Sequence, residues 1–356
     1  MPAERLIKKV LIYRLGSLGD MVVALPCLHL IERRYPDAKR KLLTNFPVNA
    51  KAPAAAAVLG ESGLLDGYVR YTAGTRNVAE LLRIALDVRR FAPDLLVLLT
   101  DLRPWSLVRR DLLFFRMCGV RRVVGAPGER EMERRFDAAT GMWESEAHRL
   151  ARLIGELGDA RVDDPASWNL QLTEAERRAA GEALGELRGR PLIVCGPGTK
   201  MQAKDWGKEN WRALLGRLVK RYPEHALALV GASEDAEGSE FAAEEWTGAK
   251  VNLCGRLTPR ETAAVIGHAR VFLGPDSGPM HLAASVGVPC VIAFSARGQK
   301  GVWYPAGGGH EILYHAPECA GCELEICIVE RKRCLTSIGV EEMERAVERV
   351  LGGGRG

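Results

Sequence analysis

A chain of 356 residues, 47% hydrophobic and 27% charged, has the make-up of a soluble globular protein and material for two domains of ordinary size. No apolar run approaches the ~20 residues that span a bilayer. The opening MPAERLIKKVLIYRLG is broken by Lys8, Lys9 and Arg14 and lacks a signal-peptide layout, so a cytoplasmic location is expected.

In chain order, Val10–Tyr13 reads as a buried strand, 16–20 as a turn, and Met21–Tyr35 as a helix ended by Pro36. Lys41–Asn45 is a second strand. Leu81, Ile84, Ala85 and Val88 recur at helical spacing ahead of Pro93, and strands follow at Asp94–Thr100 and Arg122–Gly125. The pattern breaks around 159–164, and Leu172–Leu187 is a charged helix. Alternation then restarts, with strands at Pro191–Cys195, Ala226–Val230, Val271–Leu273 and Cys290–Phe294. Helices lie between them at 210–222, 237–246, 261–269 and 280–286, and Val340–Leu351 closes the chain. Strands alternating with helices predict an α/β fold of two doubly wound halves, divided near 160–190.

Charge divides along the same line. Residues 1–160 hold 26 Lys and Arg against 19 acids, and residues 161–356 hold 24 against 26. The basic half suits an acidic partner, either a phosphorylated sugar lipid or the anionic face of a membrane. Arg103, Arg109, Arg110, Arg121, Arg122, Arg134 and Arg135 supply much of it, and no nucleic-acid partner is expected.

Four loops carry polar chemistry, and each follows a strand, which is where ligands lie in such sheets. Asp20 ends Arg14-Leu-Gly-Ser-Leu-Gly-Asp20 at a helix start, where a carboxylate serves either as a cap or as a general base toward a hydroxyl. The spacing is neither that of a P-loop nor that of a dinucleotide fingerprint. Gly196-Pro-Gly-Thr199-Lys200, with Lys204-Asp205-Trp206 beyond, offers a hydroxyl, amides and a cation suited to a diphosphate. Glu234 and Asp235 follow a strand where an acid commonly holds ribose hydroxyls. Gly274-Pro-Asp276-Ser277-Gly278-Pro-Met-His281 opens a helix whose free amides and positive end suit a phosphorylated, hydroxyl-rich ligand.

Taken in order with Ala24-Leu-Pro26, these motifs resemble the ADP-heptose:lipopolysaccharide heptosyltransferases, glycosyltransferase family nine, over nearly the whole chain. The resemblance implies a GT-B fold of two facing Rossmann-like domains with a cleft between them. It gives an acceptor domain at 1–165, a nucleotide-sugar domain at 190–335, and a 336–356 helix packing back near the first domain. It implies Asp20 as catalytic base and Thr199 and Lys204 as diphosphate ligands. Glu234 would contact ribose, with Asp235 in its place if the alignment slips by one. Asp276 would hold sugar hydroxyls, the amides of Ser277 and Gly278 the diphosphate, and His281 a phosphate or the sugar. The implied reaction is an inverting transfer from ADP-heptose or a related sugar to a glycolipid acceptor, by an enzyme peripheral on the inner membrane. No cofactor is required for it. A protein acceptor, as in autotransporter modification, and a non-catalytic nucleotide-sugar-binding protein are the alternatives.

Two features stand apart from that pattern. The segment Ser295–Pro305, SARGQKGVWYP, replaces a Gly-Pro-Thr-Asp-type loop expected beside the donor sugar. Nine cysteines in a chain expected to be cytoplasmic are not by default a disulfide framework. Cys27, Cys118, Cys195, Cys254 and Cys290 sit in apolar surroundings, but Cys319, Cys322, Cys327 and Cys334 fall close together. That set suits either a structural zinc or iron, or reduced thiols and a labile disulfide.

Overall fold

The computed structural model describes residues 6–46, 55–60, 62–72, 74–126 and 128–353. The chain divides into two compact units, Met1–Arg135 with Glu144–Gln171, and Phe136–Trp143 with Leu172–Gly356.

The first unit is built on a parallel sheet of β1 (Lys9–Tyr13), β2 (Lys39–Asn45), β3 (Gly67–Tyr71), β4 (Leu95–Leu98) and β5 (Val123–Val124). Its spatial order is β3-β2-β1-β4-β5. The near-continuous apolar runs of β1 and β4 follow from burial on both faces. Leu11 and Tyr13 point to one side, where Ile84, Val88, Phe91 and Phe115 of the Val78–Phe91 and Trp105–Met117 helices cover them. Val10 and Ile12 alternate to the other side and are also fully buried. The stretch expected as one helix over 21–35 is two, Leu18–Val23 and Leu25–Arg34. Pro26 is the reason. Its missing N–H is tolerated only in a first turn, so the chain restarts its helix at Ala24.

A short hairpin, β6 (Phe136–Asp137) with β7 (Met142–Trp143), belongs to the second unit, where the Trp143 amide donates to Lys300 O at 2.8 Å. That unit's six strands are β8 (Leu192–Cys195), β9 (Ala226–Leu229), β10 (Lys250–Asn252), β11 (Ala269–Pro275), β12 (Cys290–Phe294) and β13 (Glu311–Tyr314). They are parallel, in the order β10-β9-β8-β11-β12-β13. One core gathers Trp206, Trp211 and Trp246 against alternate residues of β8, β9 and β11. The closing Val340–Gly352 helix, expected near the first domain, packs into this core. Its apolar stripe Met343, Ala346 and Val347 is fully buried there, and Arg217 and Arg349 pair with acids beside it.

Strands β3, β10 and β13 escape the sequence pattern for a common reason. All three are sheet edges, short and only partly buried, so they carry no apolar run.

Candidate functional site

In a parallel sheet the loops leaving the carboxyl ends of the strands share one edge, and ligands lodge where the strand order reverses. In the second unit that point lies between β8 and β11. The loop after β8 brings Lys204 there and the loop after β11 brings Asp276. Lys204 Nζ and Asp276 Oδ2 meet at 2.9 Å, with the side chains 18% and 7% exposed. Ser277 caps the Gly278–Ser285 helix, and its buried Oγ has no hydrogen-bond partner. A buried hydroxyl left so is costly. Together with first-turn amides that have no intrahelical partner, it is set to receive an anionic, acceptor-rich group.

His281 lies one turn on, buried, its ring edge-to-face with Trp303 at 6.3 Å. Trp303 and Tyr304 come from the unusual 295–305 segment. Tyr304 packs on Phe294 at 4.8 Å, and burial, with the charges of Tyr314 and Asp276, pushes its phenol up. The segment is therefore folded onto the start of the same helix. Thr199 is half-buried, and its Oγ1 accepts the Met201 amide at 3.4 Å, which shapes its own loop.

Glu234 and Asp235 separate into different jobs. Asp235 Oδ2 accepts the Ala232 amide at 2.8 Å, and a Cβ on Gly198 would lie 2.3 Å from the Asp235 Cγ. Burial pushes this carboxyl up, against the Ala232 amide, while the Glu234 charge adds to it and Lys200 opposes it. Asp235 thus ties two strand-end loops together, while Glu234 is exposed with Ser233 Oγ at 3.4 Å. Asp235→Ala is expected to lower the melting temperature while Glu234→Ala leaves it unmoved; thermal melts of both variants separate the two.

In the first unit the order reverses between β1 and β4. Gly16, at φ +139°, turns the chain out of β1, and a Cβ there would collide with the Asp20 side chain at 2.3 Å. Asp20 Oδ2 accepts the Ser17 amide at 2.7 Å and the Ser17 hydroxyl at 3.0 Å. Its Oδ1 receives Arg14 Nη2 at 3.2 Å, and the side chain stays 21% exposed. Asp20 therefore holds the turn and keeps a solvent-facing edge. The Asn45 Oδ1 accepts the Gly16 amide at 2.7 Å and fixes the loop from β2.

Behind Asp20 lies a buried charge network that the motifs do not announce. Arg14 also donates to Leu99 O at 3.1 Å and pairs with Glu146 at 3.5 Å. Glu146 is fully buried and takes Arg149 at 2.7 Å and Arg134 at 3.3 Å. Burial pushes the Glu146 carboxyl up, but the Arg149 hydrogen bond and the charges of Arg14, Arg149 and Arg134 hold it below its ordinary value. A signal was there to read. In EAHRLARL, Glu146 and Arg149 stand in step with the buried Ala147, Leu150 and Leu153, on a helix face that should be apolar.

Two of the seven arginines of the 103–135 cluster turn to carboxylates of their own unit. Arg134 turns inward to Glu146, and Arg103 pairs with Asp111 at 2.9 Å over the Tyr13 ring. Arg109, Arg110, Arg121, Arg122 and Arg135 are exposed.

Cys327 Sγ accepts the Lys332 amide at 3.3 Å, Cys334 Sγ stands 3.9 Å from Ser295 Oγ against the second core, and Cys322 is exposed. Among the described residues no group of three or more Cys, His, Asp or Glu is gathered to hold a metal ion.

Residues 130–329 match the profile of glycosyltransferase family 9 (heptosyltransferase). Lipopolysaccharide heptosyltransferase 3 of Escherichia coli is 25% identical over 301 residues, covering 78% of this chain and 81% of that protein. The glycosyl transferase family 9 structure from Veillonella parvula DSM 2008 superposes with a TM-score of 0.72 at 16% identity, over 98% of each chain. The E. coli ADP-heptose lps heptosyltransferase II structure does so with 0.68 at 18%, over 98% of this chain and 100% of that one. At these identities the structural likeness speaks to the fold, the two-domain GT-B architecture. The profile spans more than half of the sequence and the strand-end loops of the second unit, and the chain is a glycosyltransferase belonging to family 9.

Proposed function

We propose that the protein transfers a heptose, or a closely related sugar, from an ADP-sugar to a lipopolysaccharide or other surface-glycan acceptor, with inversion. The observation that carries this reading is the Lys204–Asp276 pair beside the unpartnered Ser277 hydroxyl at the strand-order reversal of the second unit. The names of the curated relatives support the sugar and the acceptor class.

On this reading the donor diphosphate takes the Ser277 and Gly278 amides, the Ser277 hydroxyl and Thr199. Lys204 leaves Asp276 to neutralise charge on the departing ADP, which frees the Asp276 carboxylate to hold sugar hydroxyls. Glu234 contacts the ribose, and His281, braced by Trp303, lies against the phosphate or the sugar. Asp20 removes the proton from the acceptor hydroxyl as that oxygen attacks the anomeric carbon from the face opposite ADP. The C–O bond to the acceptor forms, the bond to the diphosphate oxygen breaks, and the proton stays on Asp20.

Incubation with a panel of nucleotide sugars and a truncated lipopolysaccharide core, read by mass spectrometry, tests it. The expected product is the core plus one heptose, with ADP released. Sugar appearing on a polypeptide instead would move the acceptor to protein, and ADP binding without turnover against any acceptor would make the chain a binding protein. Lys204→Ala is expected to weaken ADP binding by about 10–100-fold, the worth of one charge-assisted contact. An unchanged affinity by titration calorimetry would remove Lys204 from the diphosphate site.

A further inference from the structure

The loop that carries Lys204 has little structure of its own. Between β8 and the Lys208–Arg221 helix it forms a short 3-10 turn, Gln202–Lys204. The Lys204 amide closes that turn on Met201 O at 2.9 Å, and the Asp205 amide on Gln202 O at 3.2 Å. A turn so lightly bonded within itself keeps its place through what is built against it.

A second stretch of the same unit does this. Residues 315–332, between β13 and the Arg333–Thr336 helix, are irregular throughout, yet they bond repeatedly to the Lys204 turn. Gln202 Oε1 accepts the Cys327 amide at 2.8 Å, and Gln202 Nε2 donates to Cys327 O at 3.4 Å. The Ala203 amide donates to Glu325 O at 3.0 Å, while Ala203 O accepts the Ser295 hydroxyl at 2.8 Å. Lys332 Nζ donates to Asp205 O at 2.7 Å and pairs with Asp205 Oδ2 at 3.2 Å. Gln202, Ala203 and Asp205 are thus each bonded from outside their own loop, and between them Lys204 sends its ammonium to Asp276.

Lys332 is the charged member of this contact, and its backbone is bent to serve it. Arg331 and Lys332 lie at φ +48° and +56°. Two successive non-glycine residues in the left-handed region cost backbone energy and persist only where their surroundings hold them. The turn they make brings the Lys332 amide to Cys327 Sγ at 3.3 Å and its ammonium to Asp205. Asp205 divides its carboxylate, with Oδ1 accepting the Gly207 amide at 2.9 Å and Oδ2 facing Lys332. The Lys332 side chain is only 17% exposed, so this pair is shielded on one side and charge-assisted on a carbonyl as well.

We propose that Lys332 is a positioning residue. By clasping Asp205 it sets the Gln202–Asp205 turn, and with it the Lys204 ammonium that the proposed function puts on the donor diphosphate. The clasp stands on geometry; its meaning for transfer rests on that assignment of Lys204. Stabilising a leaving group requires a cation already in place, and a displacement of about 1 Å forfeits much of the effect.

Lys332→Met removes the ammonium and keeps an unbranched side chain at the left-handed position. In the full chain, acylation of Lys204 by an amine-reactive ester, read by peptide mass spectrometry, should run about fivefold faster than in the wild type, with exposed Lys220 unchanged as the control. ADP affinity by titration calorimetry should fall about fivefold, but not in a Lys204→Ala background, where no ammonium is left to set. Lys332→Arg, which offers a cation to the same two oxygens, should restore both readings. Gln202→Ala should reproduce them from the other side of Lys204, and it serves where Lys332→Met does not fold. Unchanged acylation of Lys204 overturns the proposal. So does an equal loss of ADP affinity with and without the Lys204 ammonium, which would make Lys332 a structural support alone. Faster acylation, with an ADP affinity that Lys204→Ala itself does not alter, would leave the clasp standing and remove Lys204 from the diphosphate site.

Discussion

Replacing Asp20 by Asn is expected to lower kcat by about 10³-fold, the range for loss of a general base, with nucleotide-sugar affinity unchanged. The choice of Asn matters because Asp20 has two jobs. Its carboxylate accepts the Ser17 amide at 2.7 Å and so holds the first turn of the Leu18–Val23 helix. An amide oxygen accepts the same bond, whereas Ala would remove it and confound chemistry with a cap worth about 1 kcal/mol. Arg14 loses one charge partner in this variant but keeps Glu146 and Leu99 O. Melting should therefore shift little. Titration calorimetry with ADP-sugar checks the donor side, and steady-state rates check the chemistry. Full activity in Asp20→Asn would remove the proposed base, leaving Asp20 as a cap alone.

That double role shows how far the sequence could be read. The Gly16–Asp20 and Gly274–His281 loops are legible because each couples a buried apolar run to a helix start, and both halves of that signal are local. The reversal of strand order that brings Lys204 to Asp276 is also within reach, since βαβ alternation restricts the topologies. Other features rest on tertiary context. Glu234 and Asp235 are adjacent acids with nothing in their spacing to separate them. Only the close approach of Gly198 reveals that Asp235 faces inward. Arg134 and Arg103 read as members of a surface cluster, yet each is drawn inside by a single carboxylate, Glu146 or Asp111. The closing helix has an apolar stripe whichever domain it covers, so its periodicity cannot choose between them. Nearness in sequence likewise does not say whether the intervening loop turns four thiols to one point; Cys334 packs against the second core.

Removing the Glu146 charge should have the largest effect on stability. Three arginines converge on this one carboxylate, and Glu146, Arg149 and Arg14 are at most 1% exposed. Glu146→Gln leaves buried guanidinium groups without a counter-charge, a change that costs about 3–5 kcal/mol. For a unit of this size that corresponds to a melting shift on the order of 10 °C. The pH dependence follows from the lowered carboxyl. Its stabilisation is complete above the ordinary carboxylate value of 4.5 and is lost as pH falls through the lower folded-state value. The gap in melting temperature between wild type and Glu146→Gln should accordingly be constant at neutral pH and close in strong acid. Activity adds a second reading, because Arg14 spans Glu146 and Asp20. If the network positions the base, kcat falls in Glu146→Gln at temperatures where the variant is fully folded, with KM for the donor unchanged. The paired replacement Glu146→Leu with Arg149→Leu separates the two effects, since an apolar pair can restore stability where a lone charge cannot. Recovery of melting without recovery of kcat is the expected result; recovery of both would make the network a scaffold with no bearing on Asp20.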